Sequence, residues 1–150
     1  MELTYENIVK WMKEYFKAYN AYAQNPKTVS RMCDYYATDL QFIPYIAGLE
    51  HTDKRDDFLN ILSGHPSSYE TFTIEDIAVD ERRKVVVAML KAEIFDSKTV
   101  KLLLAKRYLV HYQLVLDESN ALKIQKIQFF WEVLPAGALD VHEAFRGMRK

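Results

Sequence analysis

The sequence predicts an α+β domain in which a curved antiparallel sheet, folded as a meander, packs on one face against three N-terminal helices to make a cone. Three observations carry that prediction. Apolar residues recur at helical spacing, with capping residues and turn punctuation, before residue 66. From Ser67 to Leu134 there is no glycine and no proline, and Val, Ile, Tyr and Phe are abundant. One strand in that second half is also too long to lie flat.

The first helix is capped by Thr4, with Leu3 placed to staple against Ile8, and apolar positions 8, 11, 12, 15, 16, 19 and 22 follow to an end near Gln24. Asn25-Pro26 reads as a cap followed by a first-turn proline, which starts a second helix running to about Tyr36. LQFIPYIAGL is a short extended segment interrupted by Pro44. Thr52 or Asp53 can then cap a third helix, which stops at Gly64 and His65-Pro66. Four strands follow at 69–79, 84–96, 100–117 and 121–134, joined by the short polar connections DERR, DSKT and DESN, so consecutive hairpins are expected. A straight strand over 100–117 would span roughly 55–60 Å, far beyond ordinary lengths, so the sheet must bend. At the end, Asp140 and Glu143 in LDVHEAF have capping-box spacing for a final short helix.

Alternation assigns faces. Tyr108, Val110, Tyr112, Leu114 and Leu116 belong on the inner face, as do Ile127, Phe129, Trp131 and Val133. The strand over 84–96 is ambiguous by alternation alone, and the ionised Lys91 and Glu93 place their set outward. The opposite faces mix Leu109, His111, Gln113, Gln128 and Phe130, a blend that suits a sheet-to-sheet contact, so a homodimer through the outer sheet face is expected.

Bulk properties exclude several classes. One hundred and fifty residues, 49% hydrophobic, make one ordinary domain over 1–150. Lys and Arg total 20 against 21 Asp and Glu, without long blocks, which argues against nucleic acid, although the FRGMRK tail is locally basic. The lone Cys33 reads as a packed thiol in a reducing compartment. MELTYENIVK is too polar for a signal peptide and VVVAML too short to span a bilayer, so a cytoplasmic protein with no membrane partner is expected. His51, His65, His111 and His142 lack ligand spacing, so no metal site is expected; no nucleotide-binding glycine loop or nucleophile signature occurs, and no cofactor is expected.

The most informative stretch is WMKEYFKAYNAY, residues 11–22, which sets Trp11, Tyr15, Tyr19 and Tyr22 on one helix face with Phe16 beside them. A buried phenol left unpaired costs about 1–3 kcal/mol, so each needs a protein acceptor, a water or a ligand. Either the phenols are structural, satisfied by neighbours, or the interior is hollow. With its reference pKa of about 10, a phenol can donate to a developing oxyanion at neutral pH but makes a poor base.

The order of helix, helix, short strand, helix and four long strands resembles the nuclear-transport-factor-2-like (NTF2-like) superfamily over roughly residues 5–134, in particular its SnoaL-like and ketosteroid-isomerase-like branch. The anchors are EYFKAYN, YYATDLQF, TDKRDDFLNIL and KIQFFWEV. The resemblance implies a mainly apolar pocket between helices and sheet, and frequent dimers. It puts Tyr15 where the isomerases donate to the substrate oxyanion, Tyr36 at the second tyrosine of their phenol network, and Tyr112 at their protonated aspartate. Their proton-abstracting aspartate falls on Pro44 or its neighbours Ile43 and Tyr45, and their third network tyrosine on Leu62; none of these is a carboxylate. Tyr19-Asn20 resembles the tyrosine-aspartate pair of scytalone dehydratase.

The expected pocket is lined by Tyr15, Tyr19, Tyr36, Tyr45, Phe58, Tyr108, Tyr112, Phe129 and Trp131, which suits a small hydrophobic, aromatic or polycyclic ligand carrying a few oxygens. Two functions follow: a cofactor-independent lyase or isomerase in which Tyr15 and Tyr112 stabilise an enolate and His51, in a loop near the rim, serves as acid or base; or a non-catalytic ligand-binding or dimerisation module. An ionisable group within about 3–4 Å of a phenol would favour the enzyme.

Overall fold

The computed structural model describes residues 2–46, 49–64 and 67–132. Helix α1 spans Tyr5–Gln24 and begins as its sequence dictates: the Thr4 hydroxyl accepts from the Asn7 amide at 3.1 Å, and Glu6 sits in the first turn, where the helix dipole favours an acid. Its buried face carries Ile8, Met12, Tyr15, Phe16, Tyr19 and Tyr22. The segment Pro26–Tyr35 is helical as expected, but of the tighter 3-10 kind. Asn25 does not cap it with its side chain; instead the Asn25 carbonyl accepts from both the amide and the hydroxyl of Thr28.

Strand β1 (Tyr36–Pro44) follows directly, and α2 spans Arg55–Leu62. Neither Thr52 nor Asp53 caps α2: the N-cap position is Lys54, with no side-chain hydrogen bond. Thr52 is engaged elsewhere, its backbone exchanging hydrogen bonds with Phe42 at 2.9 and 3.0 Å. Ser63 ends α2 by turning its hydroxyl back on the Leu59 carbonyl at 2.9 Å. His65-Pro66, Val133, Leu134, the expected final helix with Asp140, His142 and Glu143, and the basic tail lie outside the described residues.

The four long strands are β2 (Ser68–Asp80), β3 (Val85–Asp96), β4 (Leu102–Leu116) and β5 (Leu122–Trp131), paired antiparallel in chain order. β1 completes the sheet beside β5 and runs parallel to it, so the five-stranded sheet, ordered β1-β5-β4-β3-β2, is mixed rather than a pure antiparallel meander. The parallel register is possible because the chain between β1 and β2, containing α2, crosses over to the far edge. Each ladder contains one register shift, and such bulges supply the bend that the long strands require.

Every β2–β5 hairpin uses one device. Asp80, Asp96 and Asp117 turn a carboxylate onto amides two or more residues ahead, and Lys84, Val100 and Asn120 close the turns in the left-handed region at φ 56°, 58° and 63°. The turns thus hold non-glycine residues at positive φ, and the aspartate hydrogen bonds help offset the steric cost.

The core lies between α1 and the inner sheet face. Tyr108, Val110, Tyr112, Leu114, Ile127 and Phe129 are buried as alternation predicts, with Leu116 and Trp131 partly so. The β3 ambiguity resolves in favour of Val86, Ala88, Leu90 and Ala92, each fully buried, with Lys91 exposed opposite them. The outer face leaves Met89, Leu109 and Phe130 at 41%, 47% and 50% exposure, too much apolar surface for a face designed only for water.

Candidate functional site

A cavity of about 430 Å³ opens between α1, α2 and the sheet. Its walls are aromatic and aliphatic, with Phe42, Ile94, Leu62, Phe129 and Trp131 among them, and its polar side chains include Glu70 with the phenols Tyr19 and Tyr108. Tyr19 reaches it from α1, Glu70 from β2, and Tyr108 and Trp131 from cross-strand partners on β4 and β5.

Glu70 organises this polar patch. The Tyr19 hydroxyl donates to its Oε1 at 3.2 Å, and the Tyr108 hydroxyl donates to its Oε2. With a donor on each oxygen, the arrangement fits an acceptor-only carboxylate. Burial pushes the Tyr108 phenol far above its ordinary value, and the charge of Glu70 and the hydrogen bond to it push it further. Tyr19 is raised for the same leading reasons, burial and then Glu70. Both phenols are therefore neutral donors at physiological pH.

A second phenol group lies deeper. The hydroxyls of Tyr15 and Tyr36 share a hydrogen bond of 2.8 Å in the buried core, as the resemblance to a phenol network implies. Tyr112 packs edge-on to Tyr15 with ring centroids 6.2 Å apart, and Phe58 packs edge-on to Tyr36 at 5.2 Å. Burial is the largest cause of the upward shifts of all three phenols. Of the residues predicted for the pocket, Tyr19, Tyr108, Phe129 and Trp131 thus line the cavity, while Tyr15, Tyr36, Phe58 and Tyr112 form the packed layer beside it.

Two predicted positions are corrected. Tyr45 lies on the outer face, 51% exposed, stacked on Phe130 at 4.7 Å and accepting from Gln128 Nε2 at 2.9 Å. Alternation along β1 explains it, since Leu40 and Phe42 point inward and odd-numbered residues point out. His51 is half exposed, held 2.9 Å from Asp53 Oδ1, and is not a lining residue, so no described contact ties it to cavity chemistry. Asn20 does not act as the acid beside Tyr19 either. Its amide clamps the edge of β2, accepting from the Phe72 amide and donating to the Phe72 carbonyl, both at 2.8 Å.

Glu70 was not among the predicted residues, and one signal in the sequence points to it. It is in phase with Phe72 and Ile74 on β2, both of which pack on the core, so alternation alone turns its side chain inward. Among the described residues no cluster of His, Cys, Asp and Glu could hold a metal ion. No helix among them is long and apolar enough to cross a membrane.

The solved structures this chain resembles carry the same architecture. A ketosteroid isomerase-like protein from Erwinia carotovora atroseptica superposes with a TM-score of 0.57 at 12% identity, over 80% of this chain and 89% of that one. An NTF2-like protein of unknown function from Cytophaga hutchinsonii gives 0.54 at 11%, over 88% and 93%. The chain has the NTF2-like fold. SalBIII, an epoxide hydrolase/cyclase-like enzyme with a role in pyran ring formation in the polyether salinomycin, gives 0.59 at 14%, over 88% and 95%. No protein-family model matches the NTF2-like chain, and no curated protein matches its sequence. At these identities the likeness concerns the fold.

Proposed function

We propose that the cavity binds a small, largely apolar, oxygenated molecule and catalyses cofactor-independent proton transfer on it, as an isomerase or lyase. The observation that carries this reading is the Glu70 carboxylate on the cavity wall, 3.2 Å from the Tyr19 hydroxyl and bonded also by Tyr108. A carboxylate beside neutral phenols has both halves of enolisation chemistry. Glu70 takes a proton from carbon next to a carbonyl, and the electron pair moves onto the carbonyl oxygen. As the negative charge leaves Glu70 for that oxygen, the Tyr19 and Tyr108 hydroxyls follow it, so the donors that held the base come to stabilise the enolate. Glu70 then returns the proton at another carbon, which isomerises the substrate, or the enolate expels a leaving group, which completes an elimination. Tyr15 and Tyr112, expected as direct donors, act in this reading as the rigid support that fixes the α1 and β4 sides of the cavity.

The isomerase-like and cyclase-like neighbours agree with this chemistry but share only the fold. The aromatic walls favour a flat aromatic or polycyclic substrate. The test uses β-tetralone, a bicyclic aromatic ketone, in heavy water, with deuterium entry beside the carbonyl followed by NMR. The protein should accelerate exchange above buffer, and Glu70→Gln should lose about 10²–10⁴ of that acceleration. Tetralone bound without accelerated exchange would leave the fold as a non-catalytic binding module.

We also propose a homodimer through the outer sheet face, on the exposed Met89, Leu109 and Phe130 and on His111 Nδ1, which is buried without a hydrogen-bond partner among the described residues. Sedimentation equilibrium should read twice the chain mass, and Leu109→Lys should halve it; a wild-type monomer would refute the proposal.

A further inference from the structure

The aromatic face of α1 holds three phenols, and two of them have partners. Tyr15 shares a hydrogen bond with Tyr36, and Tyr19 donates to Glu70. Tyr22 is the third. It lies in the last turn of α1, 5% exposed, with its ring edge-on to Tyr19 and the two centroids 5.9 Å apart. Its carbonyl accepts from the Asn25 amide at 2.9 Å, so the backbone that carries the ring is held where the helix ends. Tyr22 lines the cavity, about 4.5 Å further along the helix axis than Tyr19.

Among the described residues, no group bonds the Tyr22 hydroxyl. Nor is that hydroxyl sealed from solvent: the described side-chain polar atoms buried without a partner are Thr52 Oγ1 and His111 Nδ1. A buried ring thus carries an uncommitted hydroxyl on a cavity wall, where phenylalanine would pack with nothing to satisfy. Other hydroxyls on the lining differ. Tyr108, like Tyr19, donates to Glu70, and Ser63 donates to the Leu59 carbonyl at 2.9 Å. Ser68 and Tyr69 are partly exposed at the start of β2, where solvent serves a hydroxyl without a ligand. Burial raises the Tyr22 phenol above its ordinary pKa, so it is a neutral donor at physiological pH.

We infer that the Tyr22 hydroxyl is a specificity group: it donates to a second oxygen of the ligand, apart from the one that meets Tyr19 and Tyr108. This rests on the reading of the cavity as a binding site. It narrows the ligand class to aromatic or polycyclic molecules with two separated oxygen functions, the second a hydroxyl, ether or carbonyl. No bond is made or broken at Tyr22, which orients the ligand. Apolar walls alone give a flat molecule little reason to prefer one direction over its reverse, and a second fixed oxygen supplies that reason.

The experiment compares β-tetralone with 6-hydroxy-β-tetralone and 7-hydroxy-β-tetralone, with affinities for the full chain measured by calorimetry. At least one hydroxylated probe should bind about three- to tenfold tighter than the parent, the worth of one hydrogen bond. In Tyr22→Phe that ratio should fall to about one. The denaturant midpoint of Tyr22→Phe should not drop, because the lost hydroxyl holds no described group. The wild-type comparison needs no variant to fold. If the parent binds and neither hydroxylated probe binds more tightly, the second-oxygen site is overturned while the binding cavity stands. A gain that persists in folded Tyr22→Phe would assign the oxygen to Ser68 or Tyr69 and overturn the role of Tyr22. A lowered midpoint would mark the hydroxyl as structural and overturn it as well. If none of the three probes binds, the cavity reading fails and the inference fails with it.

Discussion

Tyr15 and Tyr19 lie one turn apart on the buried face of α1, and their hydroxyls meet different surroundings. Tyr15 is closed off in a pair with Tyr36, the two hydroxyls sharing one hydrogen bond of 2.8 Å inside packed rings. Tyr19 points at a carboxylate on the wall of a cavity, whose other oxygen accepts from Tyr108. The residue type is the same, so the difference lies in the partner. A neutral acceptor in a packed layer makes a phenol structural, whereas a carboxylate beside open space makes it available to chemistry. On the proposed function, the tyrosines of α1 serve both purposes, four residues apart.

The largest effect expected from this comparison is alkaline unfolding, which engages both groups. Burial raises Tyr15, Tyr19, Tyr36, Tyr108 and Tyr112 above the ordinary phenol value. Below about pH 10 each phenol is protonated whether the chain is folded or not, and no pH-dependent term arises. Above it the unfolded chain releases protons that the folded chain still holds, so stability falls by about 1.4 kcal/mol per pH unit for each phenol involved. Five together would exhaust an ordinary domain's stability within a unit or two. Tyrosinate absorbance and loss of circular dichroism should thus rise in one cooperative step above pH 10. Phenols ionising gradually in a chain that stays folded would show that the packed layer is accessible to water.

A sharper separation comes from two conservative variants. Tyr36→Phe strands the Tyr15 hydroxyl in the core and should cost about 1–3 kcal/mol in denaturant unfolding. It should leave tetralone exchange within a few-fold of wild type, since Tyr36 does not line the cavity. The double variant Tyr15→Phe with Tyr36→Phe should cost less than the sum of the single ones, because removing both hydroxyls leaves neither unpaired. Tyr108→Phe should do the reverse, with stability nearly kept and exchange slowed by about 10²–10³. If Tyr36→Phe and Tyr108→Phe gave the same profile, the two phenol groups would be one network and the comparison would collapse.

Much of this fold could be read in advance because its signals are local. The Thr4 cap, the glycine-free and proline-free second half, and the alternation of β4 and β5 each act over a few residues, and each survived packing. The parallel place of β1 was hidden because the pairing Pro44 with Phe129 joins positions 85 residues apart, which no local pattern encodes. The candidate site was half legible: Tyr19, Tyr108, Phe129 and Trp131 announce themselves as in-phase aromatics. Glu70 did not, because an acid on a strand ordinarily faces water and only its phase with Phe72 and Ile74 says otherwise. The resemblance drew attention to positions 43–45 for a base, while the carboxylate of this chain comes from the opposite edge of the sheet.

The smallest effect expected tests whether the two regions are mechanically joined. Asn20 follows Tyr19 on α1 and clamps both backbone groups of Phe72, two residues beyond Glu70 on an edge strand that, among the described residues, is paired on one side only, with β3. Asn20→Ala removes both hydrogen bonds from a partly exposed position where water can replace them, so the loss in stability should be only about 1 kcal/mol. Its effect on exchange should be larger than that loss suggests, because a small displacement of β2 carries Glu70 away from Tyr19 and Tyr108 together. Asn20→Asp should be the worse variant, since a carboxylate can accept from the Phe72 amide but repels the Phe72 carbonyl. Exchange unchanged in a measurably destabilised Asn20→Ala protein would mean that β2 is positioned by its pairing with β3 alone, and that the link from α1 to β2 does not bear on Glu70.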